Sequence, residues 1–360
     1  ANGRLQLNGR LDNVGVRVDA ADIAIEARYQ RLPLPLTFTG GRFLYDGPSI
    51  EIRDLDVRVG NSTITQLSSR LKLDADLPLT ASSPAAAVEL ADLLRLFGDY
   101  PPLASLTSLE GTAGFQGWEL AGSAADPQTW EIRSSGSVRT LNLTSELLPG
   151  PVRVDQAPFV WEGRNIRTQG WTLAIGGSRM DMTSGGLDWT GVPVLDLAAS
   201  RVDASVEDLL WFLSSRPDLA AHLSPFAPLS GTATLRNAQS RVAFPPGTGA
   251  RVEASASLDS AQITSRRVPE PMRLDSGRLR WQGSSLEVND LNLTLGTSGV
   301  HRLLLAFDWG AGDRFEIRAD TAVIECGEVY PWLALLPGLR GLREDISGVQ
   351  GNIEVAGFGL

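Results

Sequence analysis

The sequence predicts a mostly β fold: an elongated, curved antiparallel β-sheet groove, a taco-shaped repeat array with about one amphipathic helix per repeat. Three observations carry that expectation. Apolar and polar residues alternate over long stretches. One phrase occurs three times. Pro and Gly landmarks keep the same spacing as that phrase.

The phrase is "RFLYDGPSIEIRDLDVRVG" at 42–60, "PFVWEGRNIRTQGWTLAIG" at 158–176 and "RLRWQGSSLEVNDLNLTLG" at 278–296. Tyr45-Asp46-Gly47, Trp161-Glu162-Gly163 and Trp281-Gln282-Gly283 are thereby separated by 116 and then 120 residues. The pairs Pro33/Pro35, Pro149/Pro151 and Pro269/Pro271 keep that register, as do Gly60, Gly176 and Gly296. Leu109-Glu110-Gly111, Leu229-Ser230-Gly231 and Val349-Gln350-Gly351 form a further matched set, and Leu7-Asn8-Gly9 reads as an earlier copy. Fixed-period self-similarity marks a repeat architecture. The expected modules are 1–108, 109–228 and 229–348, with 349–360 starting another.

Within each module a hairpin comes first. Asp46-Gly47-Pro48-Ser49 forms a short loop in which Gly supplies the positive φ of a tight reversal. Counting outward, Tyr45 faces Ile50 and Phe43 faces Ile52. The second copy pairs Trp161 with Ile166 and Phe159 with Thr168; the third pairs Trp281 with Leu286 and Leu279 with Val288. Side chains alternate with period two, so one face is dry and the other wet. Arg42, Glu51 and Arg53 fall on the wet face, as do Arg278, Arg280, Glu287 and Asn289. A following strand is expected to continue the dry face with Leu55, Val57 and Val59, then Trp171, Leu173 and Ile175, then Leu291, Leu293 and Leu295. "RMDMTS", "VLDLAAS" and "RFEIRAD" read as further strands. The Pro pairs mark an edge, a strand start or a crossing point, because Pro cannot donate in a central ladder.

One helix then closes each module. Leu90, Leu93, Leu94 and Phe97 have helical spacing, as do Val206, Leu209, Leu210 and Leu213, and Val329, Trp332, Leu333 and Leu336. Starts are signalled by Ser83-Pro84, by Ser205 with Asp208, and by Pro331 in a first turn; Pro101, Pro217 and Pro337 signal stops. The polar faces of these helices lack the Lys and Arg of membrane-surface helices, so they read as covers for the sheet or caps of a module end.

Composition narrows the function. Apolar residues make up 42% and charged residues 21%, a balance that folds. The net charge of −10 and pI of about 4.9 argue against nucleic acid and against electrostatic adhesion to anionic membranes. Cys326 is the single cysteine, so no internal disulfide is possible, and it reads as a small buried hydrophobe. No apolar window reaches the roughly 18 residues of a membrane-spanning helix. The chain opens in a strand pattern, "LQLNGRLDNVGVRVD", and stops in another, "IEVAGFGL", which predicts a piece of a longer protein.

No catalytic constellation is expected. His222 and His301 are the only histidines and lack metal-ligand spacing. HExxH, CxxC, Walker and G-x-S-x-G motifs are missing from the sequence, and "GTSGV" at 296–300 reads as a turn rather than a phosphate loop. Asp54/Asp56 and Glu207/Asp208 read as solvated or helix-start acids, and Asn-Leu-Thr at 142 and 292 as ordinary strand residues.

The segment "LDLAASRVDASVEDLLWFLSSRPDLAAHLSPFAPLSGTATL" at 195–235, echoed by "LEGTAGF" at 109–115 and "VQGNIEV" at 349–355, resembles the AsmA-like family of the Gram-negative envelope. That family is grouped with bridge-like lipid-transfer proteins, including TamB-like and chorein-like members. The resemblance extends over essentially all three modules. It implies a periplasmic body with an apolar groove, an inner-membrane anchor by an N-terminal helix that this sequence lacks, and contacts with inner and outer membranes through further parts. It implies phospholipid acyl chains as the bound partner, no cofactor, no metal and no enzymatic activity.

The dry face (Phe43, Tyr45, Ile50, Ile52, Leu55, Val57, Val59, Phe159, Trp161, Ile166, Trp171, Leu173, Ile175, Leu279, Trp281, Leu286, Val288, Leu291, Leu293 and Leu295) would then line a lipid groove. From the residues alone, those side chains could equally fill a closed core. A structural scaffold with a self-filled β core, supporting outer-membrane assembly, is therefore the alternative function. An enzyme or a glycan-binding array is the remaining one.

Overall fold

The computed structural model describes residues 2–10, 13–28, 33–97, 105–214, 228–245, 250–265, 268–310, 314–333 and 349–359. Antiparallel strands make up most of them. Contacts divide the chain into two compact units: Ala1–Leu147 with Pro151–Trp171 and Gly186–Gly191, and Leu148–Gly150 with Thr172–Gly185 and Val192–Leu360.

In the first unit, β1 (Asn2–Arg10), β2 (Asn13–Ala27), β3 (Leu36–Tyr45), β4 (Ser49–Val59), β5 (Ser62–Lys72), β6 (Pro78–Glu89), β7 (Leu106–Ser123), β8 (Glu131–Ser145) and β9 (Val152–Glu162) pair each with the next, always antiparallel. The division between the units runs through β10 (Asn165–Ile175) and β11 (Ser178–Asp188). The second unit continues the meander with β12 (Val194–Ser205), β13 (Leu229–Ala243), β14 (Arg251–Ser265), β15 (Val268–Gln282), β16 (Ser285–Leu295), β17 (Ser298–Asp308), β18 (Arg314–Glu325) and β19 (Asn352–Gly359).

The predicted cross-strand pairs Tyr45/Ile50, Phe43/Ile52, Trp281/Leu286 and Leu279/Val288 are all in register. Two details differ from the sequence reading. Residues 50–53 and 55–59, read as separate strands, are one strand, β4, and β10 and β16 likewise run unbroken through the matching stretches. A bulge joins the halves: Ile52 pairs Ser69 and Leu55 pairs Leu67, three residues against two, and the partner strand repays the shift before Val57 pairs Ile64. The same double bulge recurs from Val288/Leu305 through Leu291/Leu303 to Leu293/Val300. Asp54, Gly170 and Asp290 hold the left-handed backbone at the matched bulge, with φ of 53°, 63° and 54°. Asp56 accepts the Gln66 N–H at 2.9 Å, and Asn292 accepts the Arg302 N–H at 3.2 Å, so the backbone donors freed by each bulge are satisfied.

The second difference concerns helices. Three short ones are described, α1 (Leu90–Phe97), α2 (Val206–Ser214) and α3 (Cys326–Leu333), and about one amphipathic helix per repeat is not borne out. At eight or nine residues each is about two turns, well under the roughly 12–15 residues at which a helix begins to hold itself. Ser83 and Pro84 lie in β6 rather than at a helix start, and Pro331 is inside α3 rather than in its first turn. Leu209, expected on the apolar stripe, is 42% exposed. Ser205 does cap α2, accepting the Asp208 N–H at 3.4 Å. Pro101, Pro217, Pro337, Leu336 and His222, and the side chains of Phe97, Leu213 and Leu333, lie outside the described residues.

What fixes these short helices is a carboxylate. Gly60-Asn61 turns the chain between β4 and β5, and the amides of Asn61 and Ser62 donate to Asp92 Oδ2 in α1 at 2.8 and 3.0 Å. Ser62 Oγ donates to the same oxygen at 3.0 Å and accepts the Glu89 N–H at 3.0 Å. In the second copy Gly177 N and Ser178 Oγ donate to Asp208 at 2.9 and 2.6 Å, while Ser178 Oγ accepts the Ser205 N–H. In the third, Thr297 N and Ser298 N each donate to Glu328 at 2.8 Å, and Ser298 Oγ accepts the Glu325 N–H at 2.9 Å. Asp92, Asp208 and Glu328 each follow their turn glycine by 32 residues. Glycine is required there twice over. Gly60 has φ +62°, and a Cβ on it would stand 2.8 Å from Asp92 Oδ1.

Asp92 is 1% exposed, so its three donors have no water to replace it. Asp92→Ala should therefore cost about 3 kcal/mol in urea denaturation. Arg95→Ala, which removes the guanidinium 3.9 Å from Asp92 Oδ1, should cost about 1 kcal/mol, less than loss of the carboxylate itself. The Thr297 and Ser298 amides and hydroxyls hold the Glu328 carboxyl down from 4.5 to about 2. Its contribution to stability is therefore complete above pH 4.5 and lost as pH falls through 4.5 toward about 2. Thermal melts taken between about pH 5 and about pH 2 should show a smaller acid loss for Glu328→Gln than for the parent, within that window.

Candidate functional site: an apolar trough

The sheet's two faces divide by chemistry. On the wet face, Arg42 pairs with Asp19, Arg53 with Glu51, and Arg278 with Asp290. All three arginines are more than half exposed, so such pairs are worth at most about 1 kcal/mol each and act mainly to keep that face solvated.

On the dry face of the first unit, Leu55 and Val57 are buried at 4% and 8% exposure, together with Ile23. Phe43, Ile52 and Val59 pack around them, with Phe38, Ile64 and Leu67. Tyr45, Ile50, Phe159, Trp161, Ile166 and Trp171 are half-buried in that unit. Leu173, Ile175, Val288 and Leu293 are half-buried in the second. Leu291 and Leu295 are buried, Leu295 beneath Trp332 of α3 with Met272, Leu229 and Val329 around it.

The second unit holds a concavity of about 250 Å3 on this face. Leu279, Trp281 and Leu286, from β15 and β16, form one wall. Met180 and Met182 of β11 and Leu197 of β12 form the other. Between them the floor is made of small side chains: Ala199, Ala238, Ser240, Ala254 and Ala256. The register explains the floor, because Ala199 faces Ala238, Ser240 faces Ala254, Ala254 faces Trp281 and Ala256 faces Leu279 on successive ladders. Short side chains across three adjacent strands leave a depression that the flanking Met, Leu and Trp do not fill. No charged side chain lines it, and the thioethers of Met180 and Met182 give one wall an adaptable surface.

The trough thus joins three of the expected lining residues with a set that apolar alternation overlooked. Ala254, Ala256 and Leu258 do alternate in "VEASASLDS", so the signal was present, carried by alanine rather than by large hydrophobes.

At the hairpin end of the face stand the tryptophans. Trp161 Nε1 donates to the Gly163 carbonyl at 2.9 Å, and Trp281 Nε1 to that of Gly283 at 2.8 Å. Each meets a second indole edge-on: Trp189 at 6.2 Å and Trp309 at 5.9 Å between centroids. Both satisfied N–H groups sit at the strand ends, with the ring bodies on the apolar side.

Among the described residues, no group of His, Cys, Asp and Glu could hold a metal ion, and no helix is long and apolar enough to cross a membrane. His301 is exposed in β17, and Cys326 opens α3 half-buried. No known family model, characterised protein or solved structure matches the chain.

Trp281→Phe keeps an aromatic wall but removes the N–H donated to Gly283 and part of the ring that meets Trp309. It should lower stability by about 1–2 kcal/mol, read as a shift in the urea midpoint with an unchanged slope.

Proposed function

We propose that this protein binds the acyl chains of phospholipids on the apolar face of its sheet and conducts them between membranes without enzymatic chemistry. The observation that carries the reading is the uncharged trough bounded by Met180, Leu197, Leu279 and Trp281, which the protein's own side chains leave open. Each methylene moved from water onto such a surface gains about 0.8 kcal/mol, so a chain of a dozen or more carbons is held without any polar anchor. Head groups would stay at the wet margin, where the paired indoles, with the Trp161 and Trp281 N–H groups taken up by their own turns, present an apolar ring body to the chain. By the chain's resemblance to the AsmA-like family, the activity we propose would lie in a periplasm, between inner and outer membranes. The net charge of −10 fits recognition by apolar contact rather than by charge attraction to anionic lipid.

A second reading, a scaffold with a self-filled core, draws on Leu295 beneath Trp332 and on the edge-to-face rings of Phe115 and Phe159. In both places the dry face is closed by the chain itself.

Lipid extraction and mass spectrometry of the purified protein separate the two. Co-purified phospholipid is expected, and a photo-crosslinking residue at Trp281 should trap it in cells. Ala254→Asp puts a charge on the trough floor and should reduce the bound lipid at least tenfold with the far-UV spectrum unchanged. Protein free of lipid, and crosslinks to protein alone, would leave the scaffold reading standing.

A further inference from the structure

We infer that the repeats are not equivalent binding sites: Phe115, Trp118 and Phe159 close in the first unit the same trough that Leu235, Ala238 and Leu279 leave open in the second. These aromatics therefore set how many acyl chains the protein holds and where. The inference rests on the acyl-chain reading above and goes beyond it by ranking the sites.

The comparison is position by position. Phe115 and Trp118 precede Leu235 and Ala238 by 120 residues, and Phe159 precedes Leu279 by the same interval. The backbone is matched as well. Trp118 faces Ser83 across β6–β7 as Ala238 faces Ala199 across β12–β13. Phe159 faces Gly136 across β8–β9 as Leu279 faces Ala256 across β14–β15. Gly117 and Asn237 carry the same bulge, with φ of 60° and 51°, so the side chains on either side of it keep the same faces.

The contents differ. Phe115 and Phe159 meet edge to face, with centroids 5.2 Å apart and planes at 70°. A Cβ on Gly136 would stand 2.0 Å from the Gly114 carbonyl oxygen and 2.7 Å from Phe159 Cζ, so the backbone and the ring together leave no room for the methyl that Ala256 carries in the other copy. An indole replaces the methyl of Ala238, and Leu120 stands where Ser240 does. Aromatic pairs of this geometry add about 0.5–1.5 kcal/mol beyond their burial, which an entering chain would have to give up. In the second unit the corresponding rings are missing and about 250 Å3 stays open. That is slightly below the roughly 300–1,000 Å3 of pockets for drug-sized ligands, so it suits one linear acyl segment rather than a second chain or a fused ring system.

The test is a titration of the whole protein with cis-parinaric acid, paired with peptide mapping of the adducts of a diazirine-bearing palmitic acid. One high-affinity equivalent is expected, with adducts at Met180, Met182 and Trp281. Ala238→Trp, which copies the first unit's residue into the second, should weaken that site at least tenfold. Phe115→Leu with Trp118→Ala and Phe159→Leu should raise the capacity from one equivalent to two. Two equal equivalents in the unaltered protein, or adducts spread evenly over both units, would overturn the ranking while sparing the acyl-chain reading. Absence of any saturable binding would overturn both. Should a variant fail to fold, the adduct map of the unaltered protein decides alone.

Discussion

A carboxylate seated against a hairpin turn is the contact on which the arrangement of this protein depends. The helices are too short to persist unaided, and the hairpins end in turns whose amides point away from any ladder. One acid solves both problems, since Asp92, Asp208 or Glu328 collects the turn donors and ties the helix start to the sheet. The serine beside each turn extends the tie by accepting a backbone N–H at or next to the end of the preceding strand. At the third site the closed helix buries Leu295 under Trp332, so there the lock decides which part of the dry face is covered.

The rest of that face is shaped by residue size rather than by hydrophobicity. Large side chains at the margins and alanines across the middle make a trough; phenylalanines at matched positions fill it. The matched faces of the two units are therefore not the same surface: residue size leaves one open and fills the other. The tryptophans at the hairpin ends are held by their own turns, which fixes the margin without engaging a ligand.

Much of this was legible in the amino-acid order, and the failures have physical causes. The hairpins were readable because Tyr45, Trp161 and Trp281 sit beside turn glycines and alternation does the rest. Strand continuity through 52–55 was not, since a bulge looks like a break when only period two is counted. The helical spacing of Leu90 to Phe97 and of Val206 to Leu213 was legible and falls within α1 and α2, whereas the start signals at Ser83-Pro84 and Pro331 were misplaced, because proline also occurs within a strand, as Pro84 does in β6, and inside a short helix, as Pro331 does in α3. The lock itself went unread: an acid near a helix start is ordinarily a solvated one, and its true partners lie 30 and 31 positions upstream, just after the turn glycine. A constant glycine-to-acid interval in three copies was the available clue. The trough escaped for a different reason, as alanine counts for little in any tally of hydrophobes although its smallness makes the space.

The paired bulges have a further meaning for how such a chain tolerates change. Ile52 to Leu55 and Val288 to Leu291 are odd intervals, yet all four side chains share a face. Each bulge is thus a phase reset: the extra residue takes up the odd interval, so the side chains before and after it keep the dry face. Losing Asp290 alone would leave Val288 and Leu291 two residues apart, on one face under plain alternation, and would remove the bulge rather than invert the strand. Single-residue deletions within the regular stretches, such as loss of Asn292 between Leu291 and Leu293, have no such reset and exchange inside for outside, whereas lengthening a loop between strands leaves the two faces as they were.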